Sequence, residues 1–200
     1  MKKPSSAIIH PTWLRINHWL NALAVVILVL SGWRIYNASP IFGFTFPRSL
    51  TLGGWLGGAL LWHFAAMWIL FINGIAYLVL NIASGRLGKR FFPLHPRDLW
   101  RDFSAALLQG RLAHDVHGHY NAVQKFAYLF VIADSLILVL SGLVIWKSVQ
   151  FPLLRDLLGG YDQARVVHFA AMSVLVGFIV VHIVMVALVP RTLVAMLRGR

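Results

Sequence analysis

Two long stretches of this chain, residues 49–85 and 166–190, contain no Asp, Glu, Lys or Arg. A membrane-crossing helix needs about 20 mostly apolar residues, so each stretch is long enough to span a bilayer. Charged residues are only 12% of the 200 and hydrophobic ones 59%, where a soluble domain carries roughly a quarter charged. An ordinary soluble fold is therefore excluded. The chain has no cysteine, which removes disulfides, thiolate metal sites, iron–sulfur clusters and covalently attached haem.

Four apolar segments stand out, at about 17–36, 54–82, 125–146 and 165–189. The first begins late after Met1-Lys2-Lys3 and has no small-residue cleavage site behind it, so it reads as a retained helix rather than a signal peptide. Of the 18 Lys and Arg residues, thirteen fall at the amino terminus, in the loop at about 83–124 and at the carboxyl terminus. The other two loops hold five: Arg34, Arg48, Lys147, Arg155 and Arg165. Positive charge collects on the cytoplasmic side, so both termini are expected there, in a bacterial inner membrane. The net charge of +12 then reports topology and attraction to anionic lipid; a nucleic-acid surface is disfavoured because the basic residues flank apolar spans. The expected fold is an all-α integral membrane protein, a single domain over residues 1–200 built as a four-helix transmembrane bundle. Short interfacial helices complete it, one at 96–110 with Leu99, Trp100, Phe103, Ala106 and Leu107 on one face, and one from Pro152 to Gly160.

The chain repeats itself. His63-Phe-Ala-Ala-Met67 returns as His168-Phe-Ala-Ala-Met172, and Leu30-Ser31-Gly32 returns as Leu140-Ser141-Gly142, at offsets of 105 and 110 residues. Two helical hairpins in the same orientation are implied. The repeat breaks where histidine occurs singly: His18 corresponds to Tyr128, and His182 to Tyr77.

Ionisable side chains within membrane spans are uncommon and usually functional. His18 and His182 lie toward the cytoplasmic ends of spans one and four; His63 and His168 lie toward the outer ends of spans two and four. Fourteen residues separate His168 from His182, within about 40° of four full turns and about 21 Å along the axis. One helix thus carries two imidazoles on one side, with a matching histidine at each depth from another span. Cofactors in helix bundles are gripped by side chains from facing helices, and two stacked bis-imidazole sites suit two non-covalent b-type haems. A single intramembrane histidine is more often a helix–helix hydrogen bond; four at matched depths are poorly explained that way. A small metal ion would need further ligands, and the spans offer no Cys or Glu and a single Asp. Arg15 and Arg165 each precede a ligand histidine by three residues, placing them on its helical face, where they suit haem propionates or simple interfacial snorkelling.

With Arg15-x-x-His18-Trp19, His63, the His168/His182 pair and Tyr120-Asn121-Ala122-x-Gln124-Lys125 in view, the chain resembles the bacterial di-haem cytochrome b subunits of nickel–iron hydrogenases, formate dehydrogenases and thiosulfate reductases. The resemblance covers nearly the whole chain. It implies that His18 pairs with His182 at the cytoplasmic haem and His63 with His168 at the outer haem. It also implies a quinone site near the cytoplasmic haem, with Asn121 and Gln124 as candidates. The segment LSGWRIYNASP after span one resembles the variant that partners a periplasmic molybdopterin oxidoreductase.

Other polar residues are assigned less. Asp134, within span three, suits proton relay or a hydrogen bond to a neighbouring Asn or Tyr. His114, His117 and His119 are read as solvated loop histidines rather than a metal cluster, and His10 and His95 receive no role. Met67, Met172 and Met185 are read as packing. The expected function is electron transfer between a periplasmic redox subunit and the quinone pool, with no catalytic residue in this chain. The alternatives are a stand-alone quinone oxidoreductase acting on a small molecule such as superoxide, and a histidine-bearing metal-ion carrier or membrane scaffold.

Overall fold

The computed structural model describes residues 11–83, 95, 97, 98, 100, 101, 104 and 122–199. Within these residues the fold is helical, without strands. The helices are α1 (Thr12–Ala38), α2 (Leu56–Ala83), α3 (Ala122–Lys147), α4 (Pro152–Leu157), α5 (Tyr161–Leu188) and α6 (Pro190–Arg198). Four of them, α1, α2, α3 and α5, are long and apolar enough to cross a membrane, as the hydropathy pattern requires. The short helix α4 forms where expected, with Pro152 at its start and Gly159 and Gly160 at positive φ behind it. The stretch at 96–110 lies largely outside the described residues; Arg97, Asp98, Trp100, Arg101 and Ser104 are helical.

The chain forms two compact units. In the first, α1 packs against α2 and α6 returns to α1; in the second, α3 packs against α5. Each hairpin closes along a seam of small or polar side chains spaced seven residues apart. The buried positions in this register are Asn17, Ala24 and Ser31 on α1 and Ala59, Ala66 and Asn73 on α2. On α3 they are Asp134 and Ser141, and on α5 Ala164 and Ala171. Lipid tails are as apolar as leucine, so membrane helices associate by close backbone approach, which small residues permit. A seven-residue repeat falls about 20° short of two helical turns, so such seams wrap helices left-handedly. The seams coincide across the sequence repeat: Ser31 with Ser141 at one offset, Ala59 with Ala164 and Ala66 with Ala171 at the other. The remaining faces expose Leu, Ile, Val and Phe, as a lipid-facing surface does.

Local chemistry sets the ends. Pro11 starts α1, its carbonyl accepting from the Leu14 and Arg15 amides. After α1, the Tyr36 hydroxyl and the Asn37 amide clasp the backbone of Phe42 and Phe46, and Trp33 stacks on Phe46 at 4.5 Å. Gly53 (φ 103°) and Gly54 (φ 70°) then turn the chain into α2; a side chain on Gly53 would lie 2.4 Å from the Ala59 nitrogen. Helix α6 was not anticipated. Val189 leaves the helical backbone conformation (φ −126°, ψ 72°), Pro190 supplies a helix start, and Arg15 closes the far end by donating to the carbonyls of Met196 (3.1 Å) and Leu197. A cation on the last carbonyls of a helix also complements its dipole.

The seam carries a direct expectation. Ala59→Leu and Ala164→Leu each force a larger side chain into a fully buried position and should cost about 1–3 kcal/mol. Leu61→Ala, on an exposed face, should stay within about 0.5 kcal/mol. Unfolding of the detergent-solubilised protein measures both; wild-type stability in the two leucine variants would contradict the seam.

Candidate haem-ligand sites in the two hairpins

His63 is the eighth residue of α2, and His168 is the eighth residue of α5; both helices are 28 residues long. Each imidazole meets a serine on the preceding long helix of its own hairpin. Ser31 Oγ lies 3.1 Å from His63 Nδ1, and Ser141 Oγ lies 3.0 Å from His168 Nδ1. Both serines also bond back along their helix: Ser31 to the Ile27 carbonyl and Ser141 to the Ile137 carbonyl, each at 2.6 Å.

The short serine–carbonyl distances favour one assignment of donor and acceptor. A hydroxyl has one proton, and an oxygen 2.6 Å from a carbonyl oxygen is tolerable only if that proton lies between them. Serine therefore donates to its carbonyl and accepts from Nδ1–H. The imidazole is held as the Nδ1–H tautomer, leaving Nε2 with its lone pair directed away from the serine, as a metal-ligating histidine needs. The glycine after each serine completes the seat. A Cβ on Gly142 would sit 3.3 Å from His168 Cε1, so bulk there would press on the ring, while one on Gly32 would be in ordinary contact with His63 Cε1 at 3.5 Å.

The sequence repeat is thus a contact repeat, with Leu-Ser-Gly on one helix seating the histidine of His-Phe-Ala-Ala-Met on the next. The identity extends back to Ile27 and Ile137, the carbonyls that anchor the serines. Sequence reading found the motif and missed the role of its serines, although the conjunction of both repeats was the available signal.

The other two histidines stand singly in the repeat. His18 is half-buried near the start of α1, edge-on to Trp19 at 5.2 Å, and neighbours a polar clamp. Asn17 Nδ2 donates to Asn73 Oδ1 (2.7 Å), while Asn73 Nδ2 donates to Asn21 Oδ1 (2.7 Å) and to the Asn17 carbonyl (2.8 Å). His182 is exposed in α5 and stacks on Phe178 at 6.1 Å. His18 lies six residues inside the start of α1 and His182 six residues inside the end of α5, about 9 Å of helix in each case.

Arg15 caps α6 and lines a cavity of about 450 Å³ with Ile16, Trp19, Leu20, Leu23 and Leu197. Arg165 is 3.9 Å from Asp162, one turn earlier on α5. Each guanidinium has five N–H donors, so neither arginine is exhausted by these contacts. Asp134 occupies the seam position that Ala24 holds in the first hairpin, with Oδ2 buried and lacking a hydrogen-bond partner among the described residues. Gln124 is half-buried near the start of α3. Asn121, His10, His114, His117 and His119 lie outside the described residues, and His95 is exposed. Among the described residues no three His, Asp or Glu side chains converge; the donor set is single imidazoles, which fits a group that takes few protein ligands.

Apolar helices that carry buried imidazoles suit a membrane cytochrome b. The chain belongs to the prokaryotic cytochrome b561 family, whose model matches residues 9–199. It is a multi-pass membrane protein of an electron-transport family whose cofactor is b-type haem. A relative from Azospira oryzae, named as a protein-methionine-sulfoxide reductase subunit, YedZ1, is 64% identical over 191 residues, covering 96% of each chain. A relative from Cupriavidus necator, named as a Ni/Fe-hydrogenase B-type cytochrome subunit, is 26% identical over 91% of this chain and 79% of its own length. One of the same name from Azotobacter vinelandii is 22% identical, covering 92% and 81%. No solved structure matches.

The glycine seats give a test. Gly142→Val should lower the reduced α-band per milligram of protein, because the added bulk displaces the His168 ring. Gly177→Ala, with nothing within 4 Å of the added carbon, should leave the band at its wild-type height. Equal bands in the two variants would show that Gly142 does not seat a ligand.

Proposed function

We propose that the chain is a di-haem electron-transfer subunit, folded as one bundle over residues 1–200, that links a redox partner on the outer side to the quinone pool. His63 and His168 would hold the outer haem, and His18 and His182 the cytoplasmic one. The observation that carries this reading is the duplicated Ser–His seat: two imidazoles in one tautomer, at the same position of two 28-residue helices. The equal distances of His18 and His182 from their helix ends support the second pair.

Bound haem iron supplies one-electron redox chemistry. The chain's own residues would hold it by imidazole nitrogen, exclude water with apolar spans, and offer Arg15 and Arg165 as cations for propionate carboxylates. The lysine and arginine distribution supports cytoplasmic termini in the bacterial inner membrane. Asn121 and Gln124 would bind quinone near the cytoplasmic haem, as the family resemblance implies. The relative named as a sulfoxide reductase subunit supports an outer partner of the molybdopterin oxidoreductase type that consumes electrons, so flow would run from quinol outward.

Redox titration of the α-band tests the pairing. His63→Ala and His168→Ala should each remove one and the same redox component, and His18→Ala and His182→Ala the other. Loss of one shared component in His18→Ala and His63→Ala would contradict the pairing. Asn121→Ala should slow reduction by quinol while both components remain; an unchanged rate would remove Asn121 from the quinone site.

A further inference from the structure

We infer that Ser31 and Ser141 are positioning residues that set the redox potential and ring orientation of the outer haem, beyond joining helices. The inference rests on the proposed ligand roles of His63 and His168. Each serine forms the middle of a relay in which the imidazole Nδ1–H donates to Oγ and the hydroxyl proton lies on an i−4 carbonyl at 2.6 Å. Donating its own proton enriches the serine oxygen and strengthens its acceptance from the ring. An imidazole whose Nδ1 proton is drawn toward an acceptor is a more basic ligand through Nε2. A more basic axial ligand favours ferric over ferrous iron, so each serine lowers the midpoint potential, and hydrogen bonding is among the protein's levers on that potential.

Geometry assigns the second role. The Nδ1···Oγ bond fixes rotation of the ring about its Cβ–Cγ bond, and the neighbouring glycine leaves the Cε1 edge room to adopt that plane. Both serines are fully buried, so water does not substitute for them as the acceptor. The arrangement occurs in two hairpins with distances agreeing to 0.1 Å, while the residues from helix to helix in sequence differ, 32 against 27. Two serines serving only as polar glue have no need to meet the same ring nitrogen.

The experiment compares wild-type protein with Ser31→Ala, Ser141→Ala, the double variant and the Ser→Thr variants, purified with haem. Spectroelectrochemical midpoints and the ferric EPR spectrum are recorded, with haem loss to excess apomyoglobin. The alanine variants should raise the midpoint of the component that His63→Ala removes, the double variant further than either single one. They should also shift its ferric g-values and speed its haem loss by about 10- to 100-fold. The threonine variants, which keep the hydroxyl, should return all three toward wild type. An unchanged midpoint and unchanged g-values in haem-bearing alanine variants would overturn the inference and leave the serines as helix glue. Should alanine abolish haem binding, Ser→Cys, with a weaker acceptor, should raise the same midpoint, and a wild-type value there would overturn it equally. Retention of both redox components in His63→Ala would instead refute the ligand assignment, whatever the serine variants do.

Discussion

An imidazole inside a bilayer must find partners for both of its nitrogens, because lipid offers none. In each hairpin of this protein one nitrogen is satisfied by a serine of the neighbouring helix, and that choice determines what the other can do. The serine accepts, so Nδ1 carries the proton and Nε2 keeps its lone pair. Close helix approach is the precondition. Alanine, serine and asparagine at seven-residue intervals bring α1 onto α2 and α3 onto α5 closely enough for a short hydroxyl to reach a ring. Packing and ligand chemistry are thus served by the same seam.

The hairpins are alike at this seat and differ elsewhere. The first adds an asparagine clamp linking Asn17, Asn21 and Asn73 beside His18, and an arginine that secures α6. The second places Asp134 at a position where its counterpart is Ala24, and carries a second histidine two heptads beyond the first. Fourteen residues leave about 40° of error on a straight helix; along a left-handed seam of seven-residue period that offset is taken up by the wrap. The spacing between His168 and His182 therefore belongs to the same periodicity as the alanines of α5.

Much of this was legible from residues alone, for identifiable reasons. Apolar runs located the four spans because hydropathy depends on composition and length only. Span one starts earlier than expected, at Thr12, because Pro11 initiates a helix through residues too polar to register as apolar. Helix α6 escaped notice since a nine-residue amphipathic helix after Pro190 lacks the length of a span. The histidines announced themselves by rarity and depth. The serines did not: a hydroxyl in a membrane helix ordinarily bonds its own backbone, as these do, and only the neighbouring helix shows that the remaining lone pair meets a ring. A repeat in sequence showed that two places were alike; coordinates showed that they touch.

The central claim is that paired imidazoles hold iron at two levels of the membrane. Pyridine haemochrome analysis of the purified polypeptide measures it most directly. The account predicts two equivalents of non-covalent protohaem per chain, all extractable with acidified acetone. A preparation yielding a single equivalent, or none, would contradict it.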